Sequence, residues 1–247
     1  MLRTWLVAGL LALPAHADTL SDLRTALAPL AGTSPIRARV TVERTRKSEG
    51  RFANQVSNAT ISYDATSDAE GIHLTFAPAL LARAEQELRE HEADTKKPQG
   101  IHNAIADIDT VGVAETLDFR GHLLRLLAIG QTVSETHTLY RGVQARVVTL
   151  KLTPKLAKEA TSVFHVKFTE DRLTLWVAAD GVPLGAERQQ KGNAGFLFLR
   201  GDMSSHDLWT FSRTGDRLIV TRHENSFLGT GFGQRGEGRT VQTVAVR

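Results

Sequence analysis

Leu173-Thr174-Leu175-Trp176-Val177-Ala178-Ala179-Asp180-Gly181-Val182-Pro183-Leu184 sets the architecture of this chain. Leu173, Leu175 and Val177 share one parity and Trp176 takes the other, the period-two pattern of a half-buried strand. Ala179-Asp180-Gly181 then supplies turn chemistry, because glycine reaches left-handed backbone freely and aspartate bonds its own backbone. A β-prone run resumes at Leu184 and lasts to Gln190, so the unit reads as an antiparallel hairpin.

The same alternation extends outward in both directions. Upstream, Ile36, Ala38, Val40 and Val42 alternate with Arg37, Arg39, Thr41 and Glu43, and the stretches from Asn54 to Tyr63 and from Gly71 to Phe76 add two further strands. From Thr132 onward the candidates are 133–140, 143–152, 163–168, 173–178, 184–190, 196–200, 208–212, 218–223 and 239–246. Glu170-Asp171, Lys191-Gly192-Asn193 and Thr214-Gly215-Asp216 read as turns between them. That makes about a dozen strands, more than a flat sheet carries without curling.

Helical spacing appears in two places. Leu20, Leu23, Leu27 and Leu30 predict an amphipathic helix that ends at Pro29 and the Gly32-Thr33-Ser34-Pro35 turn. Pro78 suits a first helical position, and Leu81, Ala84 and Leu88 follow on one side to about Ala93. The other side carries Arg83, Glu85, Glu87, Arg89, Glu90 and Glu92, a solvated face with Arg83–Glu87 and Glu85–Arg89 pairs. A short helix with Ile101, Ile105 and Ile108 comes next, then one from about Ala114 to Ile129 whose leucines cover more than one face and predict burial. The fold class is therefore α+β, mainly antiparallel β: a strongly curved open barrel, or half-barrel, with helices covering the concave face.

Residues 1–17 read as an export signal, with Arg3, an apolar core from Trp5 to Leu13 and the small-x-small site Ala15-His16-Ala17, so cleavage is expected near Ala17/Asp18. The expected organisation is this signal followed by one domain over 18–247, with a helical insertion at about 78–130, in the periplasm. The chain of 247 residues has no cysteine, which removes disulfides, thiol catalysis and cysteine metal sites. A formal net charge of +3 gives no footprint for nucleic acid, and no second apolar run reaches the length of a transmembrane segment.

No catalytic set stands out. The histidines are scattered without an H-E-x-x-H pair, no metal site or cofactor is expected, and no G-x-S-x-G elbow accompanies Ser204, Ser205, His206 and Asp207. The run from Gly229 to Gly238 lacks the helix that a phosphate loop requires, because a strand follows it, and it reads as a flexible hairpin loop. The remaining signal is apolar. Phe164, Val166, Phe168, Leu175, Val177, Phe196, Phe198, Trp209 and Phe211 fall on the late strands, either as ordinary core or as the lining of an apolar cavity that the helices leave unfilled.

Val147-Val148-Thr149-Leu150-Lys151-Leu152-Thr153-Pro154, then Val163 to Phe168, then Leu173 to Val177 leading into Asp180-Gly181-Val182-Pro183, resembles the middle of LolA-like periplasmic lipoprotein carriers. The resemblance runs mostly over Val147 to Arg188. It implies an unclosed β-barrel with helices as a lid and a cavity for acyl chains. Transport members carry a basic, proline-containing motif on an early strand, and Ile61 to Phe76 has none, so no latch residue is assigned. The function expected is a soluble periplasmic carrier or binding protein holding a lipid or acylated ligand, and not an enzyme. An alternative is an interaction or sensor module that contacts an envelope protein through exposed sheet edges or the charged helix.

Overall fold

The computed structural model describes residues 19–50, 55–153, 165–196, 199–231 and 233–247. The expected export signal lies outside the described residues. Among the described residues, ten strands form one open antiparallel sheet: β1 (Ile36–Gly50), β2 (Gln55–Asp68), β3 (Gly71–Phe76), β4 (Gly130–Tyr140), β5 (Val143–Leu152), β6 (His165–Val177), β7 (Pro183–Phe196), β8 (Leu199–Thr214), β9 (Arg217–Gly231) and β10 (Gln234–Val246). Their spatial order is β3-β2-β1-β10-β9-β8-β7-β6-β5-β4, a curved sheet left unclosed between β3 and β4. Among the described residues, five helices lie against one face: α1 (Thr19–Leu27), α2 (Pro78–Ala93), α3 (Gly100–Ala106), α4 (Thr110–Leu117) and α5 (Arg120–Ala128).

The strands are fewer and longer than the turn residues predict. Glu170-Asp171 and Lys191-Gly192-Asn193 are not turns; they lie inside β6 and β7, where Glu170 pairs with Lys191, Asp171 with Gln190 and Gly192 with Phe168. The strands expected at 163–168 and 173–178 are thus one strand, with a bulge between Phe168 and Glu170. The strand expected at 196–200 is divided between the ends of β7 and β8. Polar and glycine residues continue these strands because the ladder between β6 and β7 satisfies their backbone, whatever the side chains do. The helix expected over 114–129 is two helices, broken where the Phe119 amide leaves the helical ladder and donates to Leu218 of β9.

Three apolar clusters attach the helices. Leu23 and Leu27 of α1 and Leu123, Leu126 and Leu127 of α5 pack on Val148, Leu150, Leu173, Leu175, Val177, Trp209 and Phe211. α4 places Val113 and Leu117 on Ile36, Val40, Tyr63 and Val244, and α3 places Ile101 and Ala104 on Ala59 and Ile61. Each fully buried leucine contributes about 1.5–3 kcal/mol over its exposed form, so these clusters carry most of the fold's stability. Of the pairs expected on α2, Glu85 meets Arg89 at 3.7 Å, whereas Glu87 caps α3 by accepting from the amides of Ile101 (2.7 Å) and His102 (3.2 Å).

Candidate binding groove

Residues opposite one another in an antiparallel pair share a face, so the register can be read sideways as rows across the sheet. On the helix side, the row Ala186–Trp209–His223–Gln242–Val42–Ile61 lies at the edge of the covered region. Two rows further out come Gln190, Ser205, Phe227, Gly238, Arg46 and Ser57. Apart from Phe227 on β9, this outer row carries polar side chains and glycine.

The opposite face holds the groove. Its two walls are neighbouring rows, Gln189–His206–Ser226–Arg239–Thr45 and Lys191–Ser204–Leu228–Glu237–Lys47–Val56. Its floor is the backbone between them, at Gln190, Ser205, Phe227 and Gly238. The cavity has a volume of about 510 Å³ and runs from β7 to β2 across six strands. At a strand spacing of about 4.8 Å its length is roughly 24 Å. Gly238 is required here: a Cβ at this position would run into the Phe227 ring, which lies over it on the helix side.

The groove mixes apolar and charged surface along its length. Leu228 and Val56, the latter 58% exposed, stand in one wall, and lysine and arginine stems extend the apolar surface. The cations are paired: Lys191 with Glu170 at 2.9 Å, Arg235 with Glu237 at 3.2 Å, Arg239 with Glu224 at 2.7 Å, and Lys47 with Glu49. Hydrogen bonds from Arg239 and then Arg222 hold the Glu224 carboxyl below its ordinary range, and Lys191 does the same to Glu170.

Other cavities are more polar. One of about 600 Å³ lies between α1, β5 and the β6–β7 turn, lined by Asp22, Thr25, His137, Gln144, Val177 and Asp180. It is bordered by Arg146, 3.7 Å from Asp22 and 3.5 Å from Glu135. Another, beside α3, is dominated by Arg44, Arg46 and Asp107. Arg44 is 8% exposed and ion-paired with Asp107, and its Nη1 donates to the Asn103 carbonyl.

Among the residues singled out from sequence, Leu175, Val177, Trp209 and Phe211 come together in the core beneath α1 and α5, with exposures of 0%, 0%, 6% and 7%. Val177 also borders the cavity beside α1. Phe168 is exposed near the far end of β6. Val166 and Phe196 stand on β6 and β7, while Phe164 and Phe198 lie outside the described residues. His206 and Asp207 point to opposite faces: His206 pairs with Glu187 at 2.7 Å, and Asp207 accepts from His223 (2.9 Å) and Asn225 (2.8 Å). His223 stacks on Trp209 with ring centroids 5.1 Å apart. Among the described residues no three histidine or acidic side chains converge as a metal site.

Sequence reasoning did not find Val56, Leu228 or the groove. The described residues of the run from Gly229 to Gly238 are not a loose loop; 229–231 extend β9 and 234–238 begin β10, completing the ladder beside the groove. The available signal was the alternation of Ser226 and Leu228 with residues of the opposite parity, masked by the glycines.

No protein-family model matches the chain. No curated protein matches it either. Among solved structures it is similar to a DUF1329 family protein from Desulfovibrio piger, at 9% identity and a TM-score of 0.33, over 93% of this chain and 92% of that one. It is also similar to MucB, solved in complex with MucA(peri), at 11% identity and a TM-score of 0.19, over 92% of this chain and 94% of that one.

Proposed function

We propose that this protein is a binding protein or carrier for an amphipathic lipid or acylated ligand, seated in the transverse groove on the helix-free face. The observation that carries the reading is the groove itself, about 510 Å³ with Leu228 and Val56 along it and Lys47, Lys191, Arg235 and Arg239 around it. That volume falls within the range of small-molecule sites. An acyl chain laid along it gains about 0.8 kcal/mol per buried CH₂. The rim cations sit in exposed ion pairs, which contribute little. An anionic head group can therefore exchange with their carboxylates. Taken with the expected export signal, the reading makes the protein a periplasmic carrier.

Titration of the purified full chain with a fluorescent long-chain fatty acid tests this. Saturable binding is expected, with Leu228→Glu weakening it about tenfold or more and Leu228→Met retaining it. Absence of binding, or equal affinity in Leu228→Glu, would overturn the reading.

A further inference from the structure

We propose that the free edge of β4 pairs antiparallel with β4 of a second copy, about a two-fold axis at Thr136, joining two sheets into one. This rests on the sheet edge and is independent of the groove.

The two edges of the sheet differ. β3 has six residues, and its Ile72, Leu74 and Phe76 are drawn into the cluster beneath α4. β4 has eleven, and every residue from Gln131 to Leu139 is exposed on both faces. Among the described residues its sheet neighbour is β5 alone. Proteins protect such an edge with lysine, proline or a short length, because unpaired N–H and C=O groups recruit another strand. Gly130 to Tyr140 contains no lysine, arginine or proline. Its irregularity is a bulge at Val133, between Thr132 and Ser134, which leaves Ser134 to Tyr140 in regular register with β5.

The edge is complementary to itself. With Thr136 on the axis, Glu135 faces the partner's His137 and His137 faces the partner's Glu135. Leu139, 61% exposed, lies at the end of the seam opposite the partner's bulge at Val133, itself 62% exposed. Register to β5 puts Glu135, His137 and Leu139 on the helix side, opposite Val148, Arg146 and Gln144. A two-fold normal to the sheet keeps helix side with helix side, so only registers displaced by two residues compete. One of these sets Glu135 on Glu135, and the other sets His137 on His137; neither makes the mixed pair, and like charges opposite one another repel. Glu135 already accepts from Thr19 Oγ1 at 2.5 Å, and a carboxylate has acceptor capacity left for a second donor.

The chain has no cysteine, so a single one is an unambiguous reporter. On the axis, Cβ atoms of Thr136 and its mate lie about 4.5–5.5 Å apart, within reach of a disulfide after slight adjustment. Residue 139 and its mate lie roughly 20 Å apart in this register. Oxidation of the full chain is expected to crosslink Thr136→Cys at least about tenfold faster than Leu139→Cys. Sedimentation equilibrium is expected to show a dimer for the unmodified chain and a monomer for Thr136→Lys, which sets like charges face to face at an exposed position. A monomeric unmodified chain at its highest soluble concentration would overturn the proposal. So would equal crosslinking at the two positions, or a Thr136→Lys dimer as tight as the unmodified one.

Discussion

The same strands behave differently at their two ends. β8 buries Trp209 and Phe211 beneath α5, yet Ser204 and Ser205, a few residues earlier on the strand, border a groove that none of the described helices lines. β6 does likewise, with Leu173 and Leu175 fully buried and Phe168 exposed. Alternation runs unbroken along β8 and is shifted once between these residues on β6, by the bulge at Thr169. Which face a residue takes is set by parity, but whether that face is covered is set by where the helices lie. The covered end is a packed core, and the helix-free end is a ladder held by backbone hydrogen bonds and surface ion pairs.

The sharpest way to break this contrast is at the border between the ends. Asp171 has 2% side-chain exposure and accepts from Nε and Nη2 of Arg188, at 2.9 and 2.7 Å, with Gln190 donating at 3.2 Å. Arg188→Ala leaves a buried carboxylate short of its cation and is expected to cost about 3–5 kcal/mol, measured by urea unfolding. A smaller effect separates two leucines. Leu175→Ala opens a cavity in the covered end and costs about 2–5 kcal/mol, whereas Leu228→Ala at the groove costs under about 1 kcal/mol. Equal losses at the two leucines would erase the distinction between core and groove.

This contrast also explains what the sequence could reveal. The hairpin from Leu173 to Leu184, the antiparallel sheet and the burial of Leu123, Leu126 and Leu127 were legible because apolar periodicity is a local signal. The lengths of β6 and β7 were not, because Glu170-Asp171 and Lys191-Gly192-Asn193 have turn chemistry but are held extended by their neighbours in the ladder. The groove was illegible for a related reason. Its walls are rows running across six strands that lie far apart in the chain, and Lys191, Ser204, Leu228, Glu237, Lys47 and Val56 share no sequence pattern. Register, which aligns them, is fixed by the whole sheet rather than by any one strand.

The smallest expected effect distinguishes how carboxylates are held at the two ends. In the β8–β9 turn at the covered end, Asp216 accepts from the Thr33 amide (2.8 Å), the Thr33 hydroxyl (2.9 Å) and the Ser34 amide (3.2 Å). These donors hold its carboxyl far below the ordinary value of 3.8. A folded-state pKa below the unfolded one gives stability that is fully present above the unfolded value and is lost as pH falls through the folded one. Asp216→Asn is therefore expected to be less stable than the parent near about pH 6, with the gap closing in the acid range. Glu224 at the groove is lowered by Arg239 and Arg222 instead, so its contribution follows the same sign but depends on charge. Salt at about 1 M screens exposed ion pairs and is expected to abolish the gap for Glu224→Gln while leaving that for Asp216→Asn, whose donors are uncharged. If salt closed both gaps alike, Asp216 would be held by the surrounding charge rather than by the loop that α1 lays across the turn.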